Sequence, residues 1–234
     1  MINLVTLCAL VIGAPSAPSV TRSASWSDVA LAGGVAAAFF TVHAQDEPFF
    51  DWRWEDTPRD KPFQEDTVPT TAIYAWSGAL TAAAALEGGS KEAISAVHTF
   101  SLTGLVTELL KYTAGRPRPD YNDRLRVAAQ RGDSALLRDA KLSFPSGHSS
   151  TAFALALHTG RWLHRAGCRR GWSRLAIASG YLVPMALAAG TGWTRVTDHR
   201  HNLSDVVAGA VIGLGVSYGI NRWHFGSTQV CEQP

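Results

Sequence analysis

The sequence has few cysteines and few charges. Only three cysteines occur, and Cys8, Cys168 and Cys231 fit neither a metal-binding spacing nor a disulfide framework, so we interpret them as ordinary small residues. Charged residues make up 17% of the chain and the formal net charge is +2, with no basic stripe that carries interleaved aromatics. These features argue against nucleic acid as a partner. No internal repeat is present either.

Long apolar runs are also missing. Six shorter runs occur instead, at 29–42, 72–86, 93–110, 150–163, 175–192 and 206–220. Most of them are shorter than the roughly 20 residues of a bilayer-spanning helix. They are rich in Ala, Leu and Gly without strand alternation, so we predict helices. Because the mean hydropathy of +0.01 is high for a soluble enzyme, we predict an all-α bundle of about six helices in a membrane.

Four parts can be distinguished along the chain. Residues 1–25 have an apolar stretch followed by small residues and prolines, as a secretory signal has, but no Lys or Arg precedes that stretch. An uncleaved N-terminal anchor is therefore the alternative. Residues 26–71 would form one helix and an acidic, aromatic connection. Residues 72–222 would form the main domain, and residues 223–234 a C-terminal tail.

The first informative polar connection reads KYTAGRPRPD, at 111–120. Its prolines end the preceding helix and force extended backbone before them. Lys111, Arg116 and Arg118 therefore collect at one helix end. Such a cluster is a candidate anion site, although a patch facing solvent or lipid headgroups has the same composition.

The second connection reads FPSGHSS, at 144–150, and leads into an apolar run. Pro145, Ser146 and Gly147 are typical of a helix N-terminus, where unpaired backbone N–H groups and the helix dipole favour an anion. His148 would lie in the first turn, beside that anion. The alternative is that Ser146 only caps the helix and His148 faces water.

The third connection reads TRVTDHRHNLSD, at 194–205. His201 and Asp205 are four residues apart, so they would share a face if a helix has begun. A carboxylate that holds one ring nitrogen leaves the other as a nucleophile or base; a surface ion pair is the alternative. His199 and His201 lack the helical zinc spacing and no HEXXH motif is present, so we predict no metal.

Together, the three connections resemble the signature of the type 2 phosphatidic acid phosphatase (PAP2) superfamily. The residues that carry this resemblance are Lys111, Arg118 and Pro119; the stretch from Pro145 to His148; and Arg195, His201 and Asp205. The order and the spacing of the three parts also agree, and the resemblance covers about residues 100–215. Thr194 departs from the usual Ser before the third-part Arg but keeps the hydroxyl.

The resemblance implies a role for each of these residues. His201 would be the nucleophile, Asp205 would orient it, and His148 would be the general acid. The phosphate-binding residues would be Lys111, Arg118, Ser146, Gly147 and Arg195. Arg116 and Arg200 lie outside the signature, so we leave them out of the phosphate shell. With three cations around the phosphate, no metal and no other cofactor would be required.

Charge asymmetry predicts the side of the membrane. The segment 164–174 contains four arginines and no acid, and the positive-inside bias makes it cytoplasmic. All three connections lie at the opposite helix ends and would face the exterior, in a bacterial inner membrane the periplasm. A cleaved signal together with a membrane-crossing 29–42 run would place them inside, so at most one of these two features is correct.

We therefore expect a phosphatase that hydrolyses a lipid phosphate monoester or diphosphate at the outer membrane face, through a phosphohistidine and without a metal. The expected partners are the lipid phosphate and the membrane. A soluble exported acid phosphatase is the first alternative, and a vanadium-dependent haloperoxidase is a less favoured one. A transporter or lipid-binding scaffold could also use basic helix ends. The sequence does not determine the individual lipid or the oligomeric state.

Overall fold

The computed structural model describes residues 25–45, 47–49 and 58–226, and the regular structure within them is entirely helical. Eight helices follow one another: α1 (Trp26–His43), α2 (Thr70–Gly88), α3 (Ser90–Ala114), α4 (Tyr121–Arg131), α5 (Ser134–Asp139), α6 (Gly147–Arg170), α7 (Arg174–Thr197) and α8 (Leu203–Phe225). The predicted all-α class is confirmed, and each of the six apolar runs lies within a helix. The segment 1–24, where a signal or anchor is predicted, lies outside the described residues.

Local capping sets where several helices begin and end. The Ser25 hydroxyl accepts the Asp28 N–H at the start of α1, and the Ser173 hydroxyl accepts the Ala176 N–H at the start of α7. Each cap satisfies a backbone donor that has no partner within the helix. At the other end of α3, Gly115 adopts φ 56°, a left-handed conformation that favours glycine. This turn directs the chain into the first polar connection.

Two short helices lie in the connection between α3 and α6, where the sequence analysis placed none. α4 and α5 are polar, so they lack the apolar runs on which the helix prediction depended. An ion-pair cluster joins them: the buried Arg124 guanidinium lies 2.9 Å from Oδ2 of the buried Asp120 and 2.9 Å from Oδ2 of the partly exposed Asp139. Because these charges satisfy one another, the polar connection folds as a compact layer over one end of the bundle.

α6 is the central helix of the bundle. It packs most extensively against α7 and α8 and also contacts α2 and α3, while α3 contacts α1, α2, α6 and α8. The apolar core lies between these helices and includes Ile73, Leu80, Ala152, Leu155 and Ala188. Since α6 begins at the FPSGHSS connection, its burial holds that connection at a fixed place in the bundle.

Close contact between α6 and α8 depends on glycines. A Cβ at Gly209 would lie 2.6 Å from the Ser146 carbonyl oxygen, and one at Gly213 would lie 2.0 Å from the Ser150 carbonyl oxygen. Gly215 of the same helix makes no such approach, because an added Cβ there would meet nothing within 4 Å.

Gly213→Ala should therefore destabilise the protein. The added methyl group collides with backbone atoms of α6, which cannot rotate away, and overpacking of this kind costs about 1–3 kcal/mol or more. Gly215→Ala is the matched control, because the same change on the same helix adds no contact. We expect a lower midpoint of thermal unfolding in detergent for Gly213→Ala alone. Equal midpoints for the two variants would contradict the close packing.

Within the described part of the chain, three helices are long and apolar enough to cross a membrane by length and composition: α3, α7 and α8. α7 and α8 also expose large apolar side chains, such as Leu182 at 67% and Val211 at 65%. Apolar surfaces of this extent are unusual on a soluble monomer and are typical of lipid contact. These features support a membrane location.

Cys168, in the last turns of α6, is disulfide-bonded. The interpretation of all three cysteines as ordinary small residues is therefore wrong for Cys168. The pairing could not be deduced from cysteine spacing, because a disulfide requires two Cα atoms within about 7 Å of each other and sequence separation does not give that distance.

Candidate active site

A pocket of about 420 Å³ lies at the end of the bundle where α3 ends and α6 begins. Six of the eight site residues that the sequence predicted line this pocket: Lys111, Arg118, Gly147, His148, Arg195 and His201. The other two, Ser146 and Asp205, are fully buried behind it. The fold thus brings together residues from three connections that are far apart along the chain.

The first connection contributes two cations, and each is held by a carboxylate. Lys111 lies in the last turn of α3, where its Nζ donates to Glu108 Oε1 at 2.9 Å. Arg118 donates from Nη2 to Asp139 Oδ1 at 2.5 Å and from Nε to the Asp139 carbonyl at 2.9 Å. Asp139 is the last residue of α5. The two cations therefore have fixed positions before any ligand binds.

The second connection supplies the N-terminus of α6, as the sequence predicted. Ser146 is the N-cap: its Oγ accepts from Ser149 Oγ at 3.1 Å, and its N–H donates to the Asp205 carbonyl at 3.0 Å. Both polar groups of Ser146 are thus used within the protein, and its phosphate contact stays a prediction. Gly147 lines the pocket, and a Cβ there would lie 3.3 Å from Lys111 Nζ. Glycine keeps space between the helix terminus and the lysine.

The hydrogen bonds of His201 assign its tautomer. Arg118 Nη1 lies 3.0 Å from His201 Nε2, and a guanidinium can only donate. Nε2 must therefore be the acceptor. The Nδ1–H donates to the Ser143 carbonyl at 2.6 Å, which requires the same tautomer. His201 thus holds its proton on Nδ1, and its Nε2 lone pair accepts from Arg118 at the wall of the pocket.

Asp205 supports this arrangement in a way that the sequence did not reveal. α8 begins at Leu203, so His201 precedes the helix and the condition for a shared helical face is not met. The Asp205 carboxylate lies 3.7 Å from His201 Nδ1, beyond hydrogen-bond distance. It accepts instead from Ser143 Oγ at 2.6 Å and from the Asn202 N–H at 2.9 Å. Asp205 thereby fixes the residue whose carbonyl holds the imidazole.

Arg116, which lies outside the signature, completes the surroundings of Asp205. Its Nη1 donates to Asp205 Oδ1 at 2.6 Å and to Ser204 Oγ at 2.8 Å. Because the carboxylate has no exposure to solvent, it would be costly without a cationic partner. Arg116 therefore belongs to the structure behind the pocket, and leaving it out of the phosphate shell agrees with its position.

The electrostatic environment keeps both site histidines neutral in the phosphate-free pocket. Burial lowers the pKa of His201 well below its usual value, and the charges of Arg118 and Arg195 lower it further. For His148, outside the three candidate membrane spans, burial and the charge of Arg195 lower the pKa to about 3, while Asp66 opposes this shift. A bound phosphate would oppose it too, because negative charge favours the imidazolium form.

A family comparison agrees with this geometry. The model of the PAP2 superfamily matches residues 92–229, which contain all three connections. The chain belongs to the PAP2 superfamily. No solved structure matches it significantly.

Curated relatives carry names from the same superfamily. A PA-phosphatase related-family protein of Dictyostelium discoideum is 32% identical over 61% of this chain and 52% of its own length. A probable diacylglycerol pyrophosphate phosphatase 1 of Schizosaccharomyces pombe is 26% identical over 86% of this chain and 81% of its own length. Phospholipid phosphatase 2 of Bos taurus is 32% identical over 48% and 43%. The first relative is thus matched over about half of its length.

The PAP2 pocket also contains Asp66, which the sequence analysis did not single out, and Arg200, which it left out of the phosphate shell. Arg195 Nη1 lies 3.0 Å from Asp66 Oδ1, and Arg200 Nε lies 2.7 Å from the same oxygen. Burial raises the pKa of the Asp66 carboxyl, but the charges of Arg195 and Arg200 outweigh this effect and lower it below its usual range. The sequence showed an acidic connection before α2, yet nothing distinguished Asp66 from the other acids there.

Proposed function

We propose that this PAP2 protein hydrolyses a phosphate monoester or diphosphate on a lipid through a phosphohistidine on His201, without a metal. One observation carries the proposal: the unprotonated Nε2 of His201 lies beside Arg118 in a pocket that is also lined by Lys111 and Arg195, and a phosphate that binds Arg118 would take over its N–H and release the Nε2 lone pair for attack. A neutral nucleophile beside three cations suits attack on a phosphate group.

In the first step, His201 Nε2 attacks phosphorus and the bond from phosphorus to the leaving oxygen breaks. His148, which the bound phosphate favours as the imidazolium, gives its proton to that oxygen, so the lipid alcohol, or the lipid monophosphate from a diphosphate, leaves in protonated form. In the second step, water attacks the phosphohistidine and gives a proton to His148. Inorganic phosphate forms, and His201 returns to its neutral Nδ1–H tautomer.

The cations stabilise the charge that develops between these steps. Lys111, Arg118 and Arg195 would contact the equatorial oxygens, and the first-turn N–H groups of α6 add the positive end of a helix dipole. One well-placed donor of this kind can contribute roughly 3 kcal/mol to a transition state. Among the described residues, no group of three or more His, Cys, Asp or Glu forms a metal-binding cluster; the metal-free reaction itself stays a prediction.

The apolar side of the same pocket supports a lipid substrate. Phe39 of α1, Ile73 and Tyr74 of α2, and Phe100 of α3 line it beside the charged residues. α1 and α2 both pack on α3, and α3 carries Lys111 in its last turn. An apolar chain held between these helices would therefore have its phosphate beside Lys111. A small water-soluble ester would make no use of this apolar side of the pocket. The three candidate spans also suit an enzyme that acts within a membrane.

The outer-face orientation is part of the proposal. α6 begins at the pocket and ends at Arg170, and a helix of its 24 residues is about 36 Å long. The arginine-rich segment 164–174 therefore begins about 26 Å from the site, and the end of α6 lies about 36 Å from it, which is comparable to the thickness of the hydrocarbon core. The positive-inside bias assigns that segment to the cytoplasm and the pocket to the exterior or periplasm.

The test is phosphate release by the full-length, detergent-purified protein from matched substrates in mixed micelles with EDTA. Phosphatidic acid and diacylglycerol pyrophosphate represent the lipids, and glycerol phosphate the same group without acyl chains. We expect turnover with EDTA present and a kcat/KM at least about tenfold higher for the lipids, since burying even a few methylene groups supplies that difference. Equal kcat/KM values would favour the soluble acid phosphatase instead.

Two further arms complete this experiment. Intact spheroplasts that express the protein should hydrolyse added short-chain lipid phosphate without permeabilisation, and activity only after permeabilisation would contradict the outer orientation. Protein loaded with vanadate should not oxidise bromide with peroxide. Oxidation in that arm without phosphate release in the first would identify a haloperoxidase.

A further inference from the structure

The connection before α2 reaches the pocket at Asp66 and is attached to the protein on both sides of that residue. We call residues 59–67 the strap. On one side, the Lys61 N–H donates to the Pro119 carbonyl at 3.0 Å and the Phe63 N–H donates to Asp123 Oδ2 at 2.8 Å. On the other, Thr67 donates to Asp198 from its N–H at 2.8 Å and from its hydroxyl at 2.7 Å. These contacts place Asp66 between two anchored points.

Asp66 differs from the carboxylates that hold the other two cations. Glu108 and Asp139 form hydrogen bonds of good geometry with Lys111 and Arg118. In Asp66, a single oxygen, Oδ1, lies at ion-pair distance from both Arg195 and Arg200. Within the described part of the chain, that oxygen, both Arg195 Nε and Nη1, and Arg200 Nε have no hydrogen-bond partner in favourable geometry.

The exposure of these groups indicates which of them can move. The Arg195 and Arg200 side chains are 3% and 6% exposed, whereas the Asp66 side chain is 27% exposed. The arginines are thus held by the protein, and the carboxylate approaches them from the open side of the pocket. A phosphate has several oxygens and could satisfy the buried N–H groups that a single carboxylate oxygen leaves without hydrogen bonds.

We propose that Asp66 is a built-in competitor of phosphate, which occupies Arg195 and Arg200 in the empty pocket and must be displaced when a phosphate group binds. This inference rests on the proposed function, because it takes Arg195 as a phosphate ligand. Asp66 lowers the affinity for every phosphate that enters, including the product. It thereby favours release of inorganic phosphate. Asp66 lies outside residues 92–229, so the competitor belongs to this chain's own connection rather than to the matched family region.

The test compares Asp66→Asn with Glu65→Gln in the full-length protein. Glu65 is the matched control: it loses the same charge one position away, but it is 71% exposed, pairs with Arg131 and does not line the pocket. For Asp66→Asn, we expect the inhibition constant for inorganic phosphate to fall about tenfold, as expected when a partly screened contact charge is removed. KM should fall with it and kcat should not rise, because ground-state binding tightens. Glu65→Gln should keep the wild-type constants.

A second variant tests the anchoring of the strap while the charge of Asp66 is kept. Thr67→Val removes the hydroxyl bond to Asp198 but keeps Asp66, and a loosened strap should lower the phosphate inhibition constant by about two- to threefold, in proportion to one lost hydrogen bond. Thermal unfolding midpoints identify any variant that fails to fold.

Two results would overturn the inference. If Asp66→Asn leaves the inhibition constant unchanged, Asp66 does not compete with phosphate. If it raises the constant and lowers kcat, Asp66 positions the arginines instead. The binding of inorganic phosphate can also be measured directly by calorimetry, without catalysis, so the test of Asp66 does not depend on the test of the proposed function. Wild-type protein that binds phosphate but hydrolyses no substrate contradicts the function, while the affinity ratio between Asp66→Asn and wild type still decides the inference.

Discussion

His201→Gln should lower phosphate release from lipid phosphate by about 10⁴-fold or more, because removal of a covalent nucleophile eliminates the reaction path rather than weakening one contact. Gln can still donate an N–H toward the Ser143 carbonyl, so the loop before α6 keeps its anchor.

Burial and the charges of Arg118 and Arg195 lower the pKa of His201. Wild-type His201 should therefore remain a neutral nucleophile in mildly acidic solution, where an ordinary histidine is protonated.

The measurement combines turnover with detection of the intermediate. Wild-type protein quenched during hydrolysis of ³²P-labelled substrate should carry label that acid releases and alkali does not, as a phosphohistidine does. His199→Asn is the control: His199 has φ 55°, a conformation that Asn tolerates, and it does not line the pocket. This variant should keep both activity and label. Label that persists in His201→Gln would place the nucleophile elsewhere.

His148→Ala should lower turnover of lipid phosphate by about 10²- to 10⁴-fold, the range for loss of a general acid. The loss should depend on the leaving group. A nitrophenolate leaves without protonation, so nitrophenyl phosphate should still phosphorylate His201. Because His148 also accepts the proton from water in the second step, hydrolysis of the phosphohistidine should be slow. The phosphoenzyme is therefore expected to accumulate with nitrophenyl phosphate.

A burst of nitrophenol followed by slow steady-state release would show this difference in stopped flow. His164→Ala on the same helix is the control, since His164 lies near the far end of α6 and does not line the pocket. An equal loss with lipid phosphate and with nitrophenyl phosphate, and no burst, would count against His148 as the acid. Neutral His148 in the phosphate-free pocket agrees with a role that begins only when phosphate has bound.

The helices, and the start of α6 at the site, were predictable because they depend on local sequence. The six apolar runs specify helices through composition, and FPSGHSS specifies the start of α6 through its proline, cap and glycine. The two short polar helices were not predictable in this way, because their stability comes from the buried pairs of Arg124 with Asp120 and Asp139. Such pairs depend on residues from different segments.

The candidate site likewise has a part that was predictable from the sequence and a part that was not. Three motifs with the right order and spacing indicated six residues that line the pocket, as well as Ser146 and Asp205 behind it. The route from Asp205 through Ser143 to His201 was not predictable, because it uses a backbone carbonyl and every residue type has one. Asp66 was hidden among other acids for a similar reason: its charge is common, and only its position is unusual.

The sequence by itself therefore determined the all-α class, the family membership that the three motifs indicate, and the types of residue that the reaction uses. These follow from local propensity and from functional groups that a reaction on phosphate requires. The tertiary structure alone decided which cation is paired with which carboxylate, which glycine allows α6 and α8 to approach, and which acid of the strap reaches Arg195. Those features depend on distances between segments that are far apart along the chain, and local sequence does not encode such distances directly.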